Sequence, residues 1–131
     1  MITVLLVDDQ QAVRGAVRMQ LGLEPDLRIV GEAGTVAHAL ELVGRLRPDI
    51  VVIDVGLPDG DGIEAIPALR ASGSQAVVLT MHDEAAVRER ADRAGAAGFV
   101  GKFEPPQRLI DVIRSVATTS GPAPGPGEAL R

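Results

Sequence analysis

Ile2-Thr3-Val4-Leu5-Leu6-Val7-Asp8-Asp9-Gln10-Gln11 begins as a near-continuous apolar run and ends on two carboxylates. Such a run suits a strand covered on both faces, because a half-exposed strand alternates apolar with polar residues. Ala12 to Leu23 then carries Val13, Val17 and Leu21 at helical spacing, so a helix follows directly. No glycine-rich turn separates the two. Asp8-Asp9-Gln10-Gln11 stands where a dinucleotide-binding fold would place its fingerprint, which argues against that function.

The strand–helix unit recurs along the chain. Glu24-Pro25-Asp26 breaks the first helix, Leu27 to Ala33 reads as a second strand, and Thr35 can cap a helix carrying Val36, Leu40, Val43 and Leu46, which Pro48 ends. Ile50 to Asp54 is the third strand. Gly56-Leu57-Pro58-Asp59-Gly60-Asp61-Gly62 has loop composition, and a short helix from about Ile63 to Ala71 contains Pro67, for which a kink or an irregular first turn is expected. Ala76 to Thr80 is a fourth strand, and Glu84 to Ala94 a helix ending at Gly95. Gly98 to Gly101 is a fifth strand, and Pro105-Pro106 introduces a last helix to about Thr118, with Leu109, Val112, Ile113 and Val116 on one face.

Five such units predict an α/β fold: a doubly wound, five-stranded parallel sheet with helices on both faces and right-handed crossovers. The flavodoxin-like order 2-1-3-4-5 is preferred to a Rossmann sheet, since the fingerprint is missing. Strands one and three are then neighbours. The topological switch point, where such sheets bind ligands, falls between Asp8-Asp9 and Asp54.

Composition narrows the function. The 131 residues, 46% hydrophobic, suffice for one domain with a real core. A formal charge of −5 argues against this segment binding a nucleic-acid backbone by itself. Without cysteine there is no disulfide, thiolate metal site or cysteine nucleophile. The apolar runs are strand-sized and Met1-Ile2-Thr3 lacks the basic region of a signal peptide, so a cytoplasmic protein with no membrane role is expected. Residues 1–120 read as one domain. Residues 121–131, rich in Pro and Gly, read as a linker or disordered tail leading to an effector domain outside this chain, a reading favoured over a frayed terminus.

Three carboxylates at one crevice, Asp8, Asp9 and Asp54, are hard oxygen ligands suited to Mg²⁺, and like charges so placed need a cation or a shared proton. Thr80 ends the fourth strand and Lys102 follows the fifth, bringing a hydroxyl and an ammonium to the same edge. A strand-end Thr or Lys alone is usually structural. Five such residues at the carboxyl ends of four strands indicate a site.

These residues resemble the receiver domain of two-component response regulators over about residues 1–118. The resemblance rests on Val7-Asp8-Asp9, Asp54 with Leu57-Pro58 and Asp61-Gly62, Leu79-Thr80, and Gly95-Ala96-Ala97-Gly98-Phe99-Val100-Gly101-Lys102. Pro25-Asp26, Val30-Gly31-Glu32-Ala33, Arg47-Pro48-Asp49 and Met81-His82 are more similar to the NarL/FixJ (LuxR-type) subfamily, whose receivers usually precede a helix-turn-helix DNA-binding domain. The resemblance implies that Asp54 is a phosphoacceptor, taking a phosphoryl group from a sensor histidine kinase. It implies Mg²⁺ held by Asp9, Asp54 and the backbone carbonyl of Gly56, with Asp8 assisting through water. Lys102 and Thr80 would contact phosphoryl oxygens, and Thr80 with Phe99 would form the switch to an output face. The bland reading of Phe99 is a simple core aromatic. A homodimer on phosphorylation, and DNA only through the effector domain, are the further partners implied.

Some residues depart from the family pattern. Gln10 follows the acidic pair where another acid or a His is frequent, and Gly56 offers no side chain to shield an acyl phosphate. Phe103 rather than proline follows Lys102, and a cis bond without proline would cost about 2.5–4 kcal/mol. Glu104 is placed to compete for the Lys102 ammonium. His38 and His82 lack ligand spacing, Met81 reads as packing, and Asp92 with Arg88 and Arg93, like Glu41 with Arg45, reads as a solvated helix face.

Two other classes remain. A Mg²⁺-dependent aspartyl phosphohydrolase shares the carboxylates and the lysine, but would normally need a general acid where Gly56 stands. A receiver-like interaction module that never uses phosphate is opposed by the intact set Asp8, Asp9, Asp54, Thr80 and Lys102.

Overall fold

A computed structural model describes residues 1–82 and 84–120, so the proline- and glycine-rich segment 121–131 lies outside the described residues. The elements follow in the expected order: β1 (Ile2–Val7), α1 (Gln11–Gly22), β2 (Leu27–Ala33), α2 (Val36–Leu46), β3 (Ile50–Ile53), α3 (Gly62–Ala71), β4 (Gln75–Thr80), α4 (Ala85–Ala94), β5 (Gly98–Gly101) and α5 (Pro106–Ser120). The sheet runs β2-β1-β3-β4-β5, and every neighbouring pair is parallel.

Why the strands read as unbroken apolar runs is clear from their two faces. Leu5, Val7, Val51, Ile53 and Val78 point into a core shared with Ala39, Leu42 and Val43 of α2, Ile63, Ile66 and Leu69 of α3 and Ala91 of α4. Val4, Leu6, Ile50, Val52, Val77 and Leu79 alternate with them and point into a second core, closed by Leu21 of α1 and by Leu109, Ile110, Val112, Ile113 and Val116 of α5. The sheet is thus sandwiched between three helices and two.

Three details differ from expectation. On α2 the buried stripe is Ala39, Leu42 and Val43, whereas Leu40 and Leu46 remain 39% and 38% exposed. The inward face therefore includes an alanine, which allows close helix–sheet approach. α3 runs without interruption through Pro67, its inward residues Ile66 and Leu69 having no exposed surface. Packing of this face outweighs the lost backbone donor. The loop after β3 contains a two-residue antiparallel pair, Gly56–Leu57 with Gly60–Asp61, too short to announce itself in sequence.

That loop is fastened at several points. The Asp59 carboxylate accepts hydrogen bonds from the backbone N–H groups of Val36 and Ala37 at 2.7 and 3.0 Å, which lowers its pKa and caps α2 from a distance. Thr35 also caps this helix, its hydroxyl accepting from the His38 N–H at 3.1 Å. Asp61 caps α3 by accepting from the Ile63 N–H at 2.8 Å.

Gly62 explains one motif glycine. A Cβ there would lie 1.9 Å from the Asp54 carbonyl oxygen, a backbone atom that cannot swing aside. Only glycine lets α3 start against the end of β3. Gly62→Ala is expected to cost about 1–3 kcal/mol by overpacking, read as a lower urea midpoint in circular dichroism. An unchanged midpoint would show that the loop relaxes freely.

Candidate functional site

The register brings the strand ends together. Val7 pairs with Ile53 and Ile53 with Val78, so the residues that follow, Asp8 and Asp54, leave adjacent strands at one level. Backbone bonds fix both: Asp8 N–H donates to the Ala33 carbonyl at 3.0 Å and Asp54 N–H to the Val7 carbonyl at 2.9 Å. Asp8, Asp9 and Asp54 present carboxylate oxygens that all lie within 4.8 Å of one another. Asp8 is 5% and Asp54 9% exposed, whereas Asp9 faces solvent. Such a hard, anionic donor set fits Mg²⁺, the partly open side leaving room for waters or a phosphoryl oxygen.

Lys102 is held at this cluster by the backbone. Gly101 pairs with Thr80 at the end of β5, and the Lys102 N–H donates to the Thr80 carbonyl at 2.8 Å. Its Nζ lies 2.7 Å from Asp8 Oδ2 and 3.0 Å from Asp54 Oδ2, bridging the two carboxylates with a side chain only 11% exposed. Burial pulls its pKa down, but hydrogen bonds and charge attraction from Asp8 and Asp54 outweigh this, and the net shift is upward. Lys102 is also the only lysine in the chain.

The other oxygens of Asp8 and Asp54 accept from backbone donors. Asp8 Oδ1 accepts from the Gln10 N–H at 2.9 Å and Asp54 Oδ1 from the Val55 N–H at 2.8 Å. Glu104 does not compete for Lys102: one of its oxygens accepts from the Gly101 N–H at 2.6 Å and the other from Arg108 Nε at 3.3 Å. Gly101 and Arg108 lie within four residues of Glu104, so local bonds take the carboxylate first. The Lys102–Phe103 bond is trans, like every described peptide bond.

Thr80 and Phe99 lie away from the carboxylate cluster's own bonds. Thr80 is fully buried, and its hydroxyl accepts from the His82 N–H at 3.0 Å. Phe99 is half-buried beside the core under α2, α3 and α4, and the Arg88 guanidinium of α4 sits 4.5 Å from its ring centroid. Arg88, Asp92 and Arg93 are all exposed, as expected of a solvated helix face, and the cation–π contact is an added role for Arg88. Arg93 pairs with Glu89 at 3.1 Å, and Glu41 with Arg45 at 3.6 Å as expected. Gly56 is exposed at the start of the short antiparallel pair. His38 and His82 are exposed on α2 and after β4, outside the carboxylate cluster.

Contacts made by two further arginines also escaped the sequence reading. Arg90 of α4 pairs with Asp61 at 2.5 Å, and Arg14 of α1 bonds to the Asp8 carbonyl and to Glu32 of β2. Neither pair has a periodic signature, since the partners come from different elements.

The family described as the response regulator receiver domain matches residues 4–114. The chain belongs to this family. Among curated relatives, the transcriptional regulatory protein UhpA of Salmonella typhimurium is 40% identical over 118 residues, covering 90% of this chain and 60% of UhpA. The DNA-binding transcriptional activator DevR/DosR of Mycobacterium tuberculosis is also 40% identical, covering 88% and 54%. A two-component response regulator of the LuxR family from Aurantimonas superposes with a TM-score of 0.85 at 33% identity, covering 98% of this chain and 92% of that one. The receiver domain is thus of the NarL/FixJ type, and it spans little more than half the length of the curated relatives it matches.

No helix among the described residues is long and apolar enough to cross a membrane.

Proposed function

We propose that this receiver domain is a phosphorylation-activated switch that takes a phosphoryl group from a phosphohistidine of a sensor histidine kinase onto Asp54, in a Mg²⁺-dependent reaction. The observation that carries the reading is the single ammonium, Lys102 Nζ, shared between Asp8 and Asp54 at the switch point of the sheet. A lone ammonium beside these carboxylates offsets only part of the negative charge of the resting site. A dianionic phosphoryl group arriving at Asp54 needs further positive charge, and Asp9, the exposed acid, is the open side for it.

In the step itself an Asp54 carboxylate oxygen attacks phosphorus, the P–N bond of the phosphohistidine breaks, and the electron pair returns to the imidazole, which takes up a proton. Asp9, Asp54 and the Gly56 carbonyl would hold the magnesium, with Asp8 assisting through water; bound there, the ion neutralises charge on the transferring oxygens. The Val55 N–H holds Asp54 Oδ1 and so orients the carboxylate. Lys102 would pair with a phosphoryl oxygen, and Thr80 would turn its hydroxyl from the His82 N–H to another.

The same movement supplies the output. Withdrawal of Thr80 would free space for Phe99 to turn inward, which would release Arg88 from the ring and alter the face of α4, β5 and α5. A homodimer through an altered face, and control of transcription through a helix-turn-helix domain beyond residues 121–131, complete the proposal. The matched relatives named as transcriptional regulators support that output.

The test uses a small phosphodonor with Mg²⁺ and intact mass spectrometry. A hydroxylamine-labile phosphoryl adduct is expected, lost in Asp54→Asn and when EDTA removes the metal. An adduct that survives Asp54→Asn would sink the assignment. Continuous phosphate release from varied phosphomonoesters would instead favour a hydrolase, and no adduct at all a phosphate-independent module.

A further inference from the structure

We propose that Arg14 is a positioning residue for the cation site: it clamps the Asp8–Asp9 turn through the Asp8 carbonyl and is itself aimed by Glu32. The inference rests on the reading of Asp8, Asp9 and Asp54 as a Mg²⁺ site.

Arg14 lies in the first turn of α1, and its side chain is only 19% exposed. One terminal guanidinium nitrogen donates to the backbone carbonyl of Asp8, and its Nε donates to Glu32 Oε1 at 3.3 Å. Glu32 is in turn anchored from its other oxygen by Arg18 at 2.6 Å. A planar guanidinium carries its donors on separate nitrogens in fixed directions, so Nε and a terminal nitrogen each meet one acceptor, whereas an ammonium would have to serve both from a single nitrogen.

The clamp completes Asp8. Its N–H donates to Ala33, its carbonyl accepts from Arg14, Oδ1 accepts from Gln10, and Oδ2 meets Lys102. Asp9 is exposed and accepts no side-chain hydrogen bond among the described residues. Its place depends on the backbone before it, which Arg14 holds. Groups that orient metal ligands typically matter by about 10–100-fold in affinity.

Charge and positioning pull in opposite directions. A cation near three carboxylates repels a second one, so removing charge alone would tighten Mg²⁺ binding. Removing a clamp would weaken it.

Calorimetric titration of the 131-residue chain with Mg²⁺, paired with urea unfolding, separates the two. Arg14→Gln is expected to weaken Mg²⁺ roughly tenfold. Arg14→Lys keeps the charge but loses the two-point grip and is expected to weaken binding by a smaller factor. Arg45→Gln, which removes an equal charge from an exposed pair with Glu41 and touches neither Glu32 nor Asp8, is expected to leave Mg²⁺ affinity unchanged. Equal or tighter binding by Arg14→Gln, or wild-type affinity in Arg14→Lys with only a lowered urea midpoint, would overturn the role. If Arg14→Gln fails to fold, Arg14→Lys decides. Wild-type protein that takes up no Mg²⁺ would remove the metal site and this inference together, whereas equal binding by wild type and variants removes the role of Arg14 alone.

Discussion

Lys102→Met is expected to slow phosphorylation of Asp54 by a small phosphodonor roughly 10²–10³-fold, the usual loss when one prearranged charge partner is removed from a transferring group. The time course of adduct formation by intact mass measures it. The substitution also leaves Asp8 and Asp54 facing each other without the ammonium that now lies 2.7 and 3.0 Å from them. Enclosed pairs cost about 3–5 kcal/mol when one partner is lost, and this partly open crevice should cost less.

The pH dependence is a second readout. In the wild type, burial lowers the lysine pKa but bonds and charge attraction to Asp8 and Asp54 outweigh it and raise it, so the stability it contributes is fully present below the ordinary lysine value of about 10.4 and is lost as pH climbs through the folded value. The stability gap between wild type and Lys102→Met is therefore expected to narrow above about pH 10, and a gap that stays constant through that range would contradict this account.

Ile53→Ala is expected to destabilise the fold by about 2–5 kcal/mol, with Ile53→Val costing about 0.5–1.5 kcal/mol. Ile53 has no exposed surface, lies on the middle strand, and is the register partner of both Val7 and Val78. It also immediately precedes Asp54, so a cavity there would loosen the acceptor carboxylate along with the core. Urea unfolding of both variants, with the same phosphodonor assay, measures the two effects. A loss below about 1 kcal/mol for the alanine variant would mean that the sheet collapses around the gap.

Much of this was legible in the chain because it is encoded locally. The runs Ile2–Val7 and Ile50–Ile53 announce a doubly covered sheet, and the rule that ligands bind beyond the carboxyl ends of parallel strands then places Asp8, Asp9, Asp54 and Lys102 together. The buried stripe of α2 was harder, because Ala39 carries the inward contact while the larger Leu40 and Leu46 stay exposed. Arg14 with Glu32, and Arg90 with Asp61, are separated by 18 and 29 positions, and such distant polar pairs leave no spacing for a reader to find. Arg88 over Phe99 is of the same kind, visible only once α4 lies across β5.

One feature of composition acquires a use through its position. With a single lysine in the chain and no cysteine or tyrosine, an amine-directed reagent has one side-chain target beside the N-terminus, and that target is the bridge between the two acids. Isotopic dimethylation of Lys102 would therefore place one resolved methyl signal inside the crevice. Its shift with added cation or phosphodonor would report occupancy directly, giving a spectroscopic handle to a protein that has no tryptophan to offer one.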